Sequence, residues 1–150
     1  MKIICVGKLK EKYLTEACNE YLKRLKKYTN IELIELQDEK IDEEKLALLG
    51  EKEKIEKHLT PKDYIITLEI EGEQLDSVSL AKKIENTQIQ NSNITFIIGG
   101  SYGIHPDIKA RSNYKLSFSK LTFPHQLFRV LLLEQLYRSF KIINNEKYHK

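Results

Sequence analysis

The 150-residue chain predicts an α/β fold, a mainly parallel sheet covered by helices on both faces. Three observations carry that prediction. Short apolar runs alternate with amphipathic stretches along the whole chain. The run ITFII at 94–98 is apolar or β-branched throughout, as in a strand buried on both faces. Gly99, Gly100 and Gly103 then end that strand abruptly, and such glycines let backbone approach a ligand closely. In open α/β sheets, ligands bind at this carboxyl edge.

Each element has its own signal. Lys2 to Val6 reads as a short strand ended by Gly7. From Lys12 to Tyr28, apolar residues recur every three or four positions (Tyr13, Leu14, Ala17, Cys18, Tyr21, Leu22 and Leu25), which predicts an amphipathic helix. Ile31 to Leu36 alternates as a strand, so the first 36 residues form a βαβ unit. The segment 38–57 is highly charged and predicts a solvated helix from about Asp42, interrupted near Gly50, or a mobile loop. Tyr64 to Leu68 reads as a strand that turns around Gly72. A helix over Ser77 to Gln90 follows, with Ser77 or Ser79 as its cap. After the strand at 94–98, Pro106 suits the first turn of a short helix. Residues 114–118 form a further strand, and FSKLTFP is the loop after it. The final helix, from about Pro124 to Asn144, is apolar almost all round. One sheet face cannot bury it all, so a homodimer is expected.

Length sets one domain, 1–150, as the natural organisation. The 41% hydrophobic and 31% charged residues are those of a soluble globular protein, with no run near the ~20 apolar residues of a membrane span. The apolar run at the N-terminus is too short for a signal peptide. Cys5 and Cys18 lack metal or redox spacing and read as buried free thiols of a cytoplasmic protein. Net charge is only +3, but it is unevenly spread. From Lys109 onward there are nine Lys or Arg and two acidic residues, which leaves residues 1–108 net negative. An anionic partner near the C-terminal third is expected.

The chemistry is first narrowed by exclusion. The glycine turn lacks the phosphate-loop lysine and the GxGxxG spacing. No Cys/His cluster points to a metal, and Ser101 and Ser119 have no base at motif spacing. The FSKLTFP loop offers backbone groups, a serine and a threonine, which suit an adenine held by main-chain hydrogen bonds.

The segments GKLKEKY, FIIGGSYGI, YKLSFSKLTFPHQLFRVLLLEQLYRSF and NNEKYHK resemble the bacterial ribosomal large-subunit methyltransferase H family over nearly the whole chain. These are small SPOUT-class enzymes that methylate N3 of a pseudouridine in 23S rRNA. The 38–50 region looks shorter than is usual for them. The resemblance implies an α/β knot, S-adenosyl-L-methionine as methyl donor, a homodimer whose second subunit completes the active site, and 23S rRNA in the assembled ribosome as partner. From the residues themselves, no membrane and no metal are expected. By similarity, Leu68, Gly99, Gly100, Gly103 and the loop Phe118, Ser119, Lys120, Leu121, Thr122 and Phe123 line the cofactor site.

On the catalytic side, His149 is expected to take the N3 proton and Tyr148 to stack on or orient the base. Arg129 and Arg138 are expected to bind phosphate or stabilise charge on the uracil ring. Plainer roles stand beside these. His125 caps the last helix, Arg129 pairs with Glu134, and Glu134, Tyr137 and Arg138 form a dimer-interface network. Two other functions are weighed as well: a tRNA-directed SPOUT methyltransferase, and a non-catalytic RNA- or ribosome-binding protein of the same fold.

Overall fold

The computed structural model describes residues 1–149. Lys150, one of the basic residues counted above, lies outside them. The strands are β1 (Lys2–Val6), β2 (Glu32–Leu36), β3 (Asp63–Gln74), β4 (Asn93–Ile98) and β5 (Tyr114–Ser117). The helices are α1 (Lys12–Leu25), α2 (Glu44–Glu56), α3 (Ser77–Gln90), α4 (Pro106–Arg111) and α5 (His125–Ile143). All five strands are parallel, in the order β2-β1-β4-β3-β5.

Strand alternation divides the core in two. Ile3 and Cys5, with Phe96 and Ile98, face α1, α3 and α5, where Cys18, Ile84, Leu132, Leu133, Leu136 and Phe140 meet them. Ile4, Val6 and Ile97 face the other way, onto Ile55 of α2 and Ile108 of α4. Both cysteines are free and buried, as expected. Burial pushes the Cys5 thiol up to about 12, which leaves it unreactive.

Several boundaries differ from expectation, each for a local reason. Helix α1 stops at Leu25, whose carbonyl accepts from the amides of Tyr28 (2.8 Å) and Thr29 (2.9 Å) in a closing turn. Helix α2 is continuous through Gly50 and buries Ala47, Glu51 and Ile55, one narrow stripe at four-residue spacing. A charged sequence hid that stripe because only one residue per turn goes inward. Asp76, and neither serine, caps α3, its Oδ1 accepting from the Ser79 amide at 2.7 Å. Pro124, not His125, is the N-cap position of α5.

The largest difference is at β3. The strand does not end in a turn at Gly72 but runs on to Gln74 through an irregularity. Leu116 of β5 pairs with both Leu68 and Glu73, so residues 69–72 bulge out of the ladder. Gly72 lies flat against β5, where a Cβ would stand 2.7 Å from the Leu116 carbonyl carbon. The bulge opens space beside Leu68 at the carboxyl edge.

Candidate active site

The carboxyl ends of β4, β3 and β5 lie side by side, and a cavity of about 640 Å³, counting its open mouth, forms there. Its place at the carboxyl edge is where ligands bind in open α/β sheets. Leu68 of β3, Gly99, Gly100 and Gly103 after β4, and Phe118, Ser119, Leu121, Thr122 and Phe123 after β5 all line it. Lys120 is not among the residues that line it. Its side chain is exposed, because the loop is pinned by its neighbours. Ser117 Oγ donates to the Ser119 carbonyl (3.0 Å), and Ser119 Oγ accepts from the Leu121 amide (2.9 Å).

The glycine turn is built by close contact. A Cβ on Gly99 would overlap the carbonyl oxygen of Gly103. Gly103 itself has φ +86°, and its amide donates to the Gly100 carbonyl at 3.1 Å. Behind the turn, next to Gly100, lies the carboxyl of Glu51, buried and with Oε2 unpartnered. Burial raises its proton affinity.

Glu69, Phe128 and His125 also line the cavity, and sequence reasoning missed them. Glu69 is almost sealed. Its Oε1 accepts from the Thr67 hydroxyl at 2.6 Å, and Lys109 Nζ is 3.4 Å from Oε2. The sequence reads as a turn around Gly72 here, so only the bulge reveals the place of Glu69. Burial, reinforced by the positive Arg129, pushes the His125 imidazole down and favours its neutral form.

The four residues expected to be catalytic separate into two places. Arg129 is wholly buried. It pairs with Glu35, not Glu134, and its Nη2 donates to the carbonyls of Val6 (3.2 Å) and Gly7. That geometry corrects the expectation of a phosphate contact. All these partners lie inside the subunit, where the guanidinium ties the end of β1 to α5.

Arg138, Tyr148 and His149 do come together. Asn145 takes a left-handed φ of 53° after α5 and turns the tail back. Glu146 then holds it, accepting from Lys27 (2.8 Å), Tyr28 (2.9 Å) and Lys141. Arg138 donates to Glu134 Oε1 from Nε (3.1 Å) and Nη2 (2.7 Å), and its guanidinium stacks over the Tyr148 ring. The Tyr148 hydroxyl donates to the same oxygen at 3.2 Å. Burial, with Tyr21 and Glu134 adding to it, lifts the Tyr148 phenol to about 12 and keeps it protonated.

His149 lines a second cavity, with Asp76, Leu131, Glu134 and Gln135. The two cavities share Leu116, Phe118 and Phe123. The described tail therefore flanks the first cavity without lining it. Among the described residues no group of three or more His, Cys, Asp or Glu is placed to hold a metal ion. No helix is long and apolar enough to cross a membrane.

A parallel sheet with a cavity at its carboxyl edge is the usual place for a ligand in an open α/β protein. Residues 1–149 match the family model described as predicted SPOUT methyltransferase, and the chain belongs to that family. A relative from Methanococcus maripaludis (strain C5), provisionally named ribosomal RNA large subunit methyltransferase H, is 56% identical over 99% of this chain and 98% of its own length. Another from Clostridium acetobutylicum, named ribosomal RNA large subunit methyltransferase H, is 50% identical over the same shares. A solved structure of a probable methylase family protein from Haemophilus influenzae Rd KW20 shares the fold. It has a TM-score of 0.58 and 15% identity, and covers 99% of this chain and 70% of its own.

Proposed function

We propose that this chain transfers the methyl group of S-adenosyl-L-methionine to N3 of a pseudouridine in 23S rRNA, acting in the cytoplasm on the assembled ribosome. The observation that carries the reading is the convergence of Leu68, the glycine turn and the 118–123 loop on one cavity at the carboxyl edge. Leu116, Phe118 and Phe128 offer apolar surface for an adenine, and the turn and loop supply backbone hydrogen-bonding groups. The full-length likeness to large-subunit rRNA methyltransferases supports an rRNA substrate.

Two demands define the reaction. The methyl carbon must meet N3 in line, a matter of positioning. The N3 proton must also leave, because the imide lone pair is delocalised and a poor nucleophile. Tyr148, Arg138 and His149 are the residues proposed to act on the base. Because the described tail flanks the cofactor cavity without lining it, the reading includes a homodimer in which one subunit's tail serves the other's cavity. The partly exposed apolar side chains of α5, Leu127 among them, supply surface for such an interface. An α/β knot around the 118–123 loop is part of the same reading. A 150-residue subunit offers little area for reading a long RNA, so a preformed ribosomal surface is the proposed target.

The test is methyl transfer from labelled S-adenosyl-L-methionine to ribosomes lacking the modification, beside naked 23S rRNA and tRNA, with mapping of the labelled nucleotide. Label at N3 of a 23S pseudouridine, on ribosomes and not on free RNA, is expected. Label on tRNA would contradict the rRNA reading. Absence of both label and cofactor binding would favour the non-catalytic RNA-binding alternative.

A further inference from the structure

The tail carries a constraint on how His149 can act. Arg138 Nη1 lies 3.4 Å from His149 Nδ1. A guanidinium has donors only and keeps its proton in proteins. The contact can therefore be a hydrogen bond only if Nδ1 accepts, and a neutral ring accepting at Nδ1 carries its hydrogen on Nε2. The lone pair that would take a proton is then occupied, and the free edge of the ring presents N–H.

Arg138 is in turn held from the other side. Glu134 Oε1 accepts both its Nε and its Nη2, and the Tyr148 hydroxyl donates to the same oxygen. Gln135 Nε2 donates to Glu134 Oε2 at 2.7 Å. Tyr148 is also packed edge-on against Tyr137, with ring centroids 5.0 Å apart. One carboxylate thus holds both the arginine that meets His149 and the tyrosine stacked on that arginine.

We infer that His149 meets the nucleobase as an Nε2–H hydrogen-bond donor, in a tautomer set by Arg138 and, through Arg138, by Glu134, rather than as the acceptor of the N3 proton. The inference rests on the proposed methyl transfer. In it, the N3 proton passes to solvent water, and the negative charge that develops spreads onto the carbonyl oxygens flanking N3. A donor placed at one of those oxygens stabilises that charge. The N3 lone pair then bonds to the methyl carbon and the carbon–sulfur bond breaks. Its electron pair stays on sulfur, leaving a neutral thioether. Glu134 is a positioning residue in this scheme.

Side-chain amides separate donor from base. The amide nitrogen of a glutamine reaches the place of Nε2, and that of an asparagine the place of Nδ1. Single-turnover methylation of modification-deficient ribosomes is measured for His149→Gln, His149→Asn and His149→Ala. The Gln variant is expected to keep most of the rate, while Asn and Ala lose about 100- to 1,000-fold, the range seen when a charge-stabilising donor is removed. Equal loss in all three would overturn the donor role. A second readout needs no activity. The ¹⁵N spectrum of histidine-labelled protein should show His149 protonated at Nε2 when neutral, with the Nδ1–H form rising in Glu134→Gln. A wild-type ring protonated at Nδ1, or no change in the variant, would overturn the inference. Because the spectrum reads the tautomer whatever the substrate, failure of the rRNA reading is told apart from failure here.

Discussion

Arg129 is the largest side chain sealed completely inside the subunit, and its charge is matched from only part of its surroundings. Glu35 neutralises it, the Val6 and Gly7 carbonyls take two more of its hydrogens, and Nε has no partner. Removing Arg129 leaves Glu35, which is partly exposed, to water, but takes the donor from the buried Val6 and Gly7 carbonyls. Arg129→Met should therefore lower stability by about 1–3 kcal/mol, read from urea unfolding. A change below the noise of that measurement would mean that the tie between β1 and α5 is idle. Glu146 shows the opposite case, a partly exposed carboxylate with three donors. Hydrogen bonds from Lys141, Lys27 and Tyr28 hold it down from its ordinary 4.5 to about 2. The folded-state value is depressed, so this contribution is present above pH 4.5 and is lost as pH falls from 4.5 towards 2. Glu146→Gln should flatten the acid limb of the stability–pH curve in that window. It should also speed amide exchange at residues 146–149, since the tail loses its anchor.

At the scale of elements, the glycine turn separates two kinds of glycine. Gly99 has no room for a Cβ because the Gly103 carbonyl fills the space. Gly103 has open space around it and only the cost of its φ. Gly99→Ala should thus cost about 1–3 kcal/mol of overpacking and shift the turn, weakening S-adenosyl-L-methionine binding by at least about 10-fold. Gly103→Ala should cost about 1–2 kcal/mol in stability, from φ alone. Calorimetric titration of both variants checks the order, and equal effects would contradict it. This turn was legible in the sequence because glycine clusters and β-branched runs are strong local signals. The strands ITFII and KIICV, helix α3 and the apolar α5 were legible for the same reason. Two features were not. The inward stripe of α2 uses one residue per turn among charges, so periodicity is drowned. The β3 bulge is set by pairing of Leu116 with both Leu68 and Glu73, a contact between distant segments that no local pattern encodes. Glu69 and its place in the cavity were lost with it. Arg129 was misread for a related reason: its partner, Glu35, lies 94 positions away.

For the whole molecule, charge and shape point the same way. The C-terminal third is the basic part of the chain, and it carries the 118–123 loop, α5 and the tail. An anionic surface engaged there would meet the cavity mouth and His149 together. If the tail of one subunit serves the cavity of another, sedimentation should show a dimer at assay concentrations, with transfer activity falling as dilution yields monomer. A monomer with full activity would contradict the shared site. The proposed methyl transfer requires that the cavity at the ends of β3, β4 and β5 be the methyl-donor site. The direct measurement is a ¹H–¹⁵N titration of the labelled protein with S-adenosyl-L-methionine. Amide shifts are expected at Leu68, Gly99, Gly100, Gly103 and Phe118 to Phe123. Saturable shifts confined to other residues, such as those of the second cavity beside His149, would contradict the account, as would the absence of any shift.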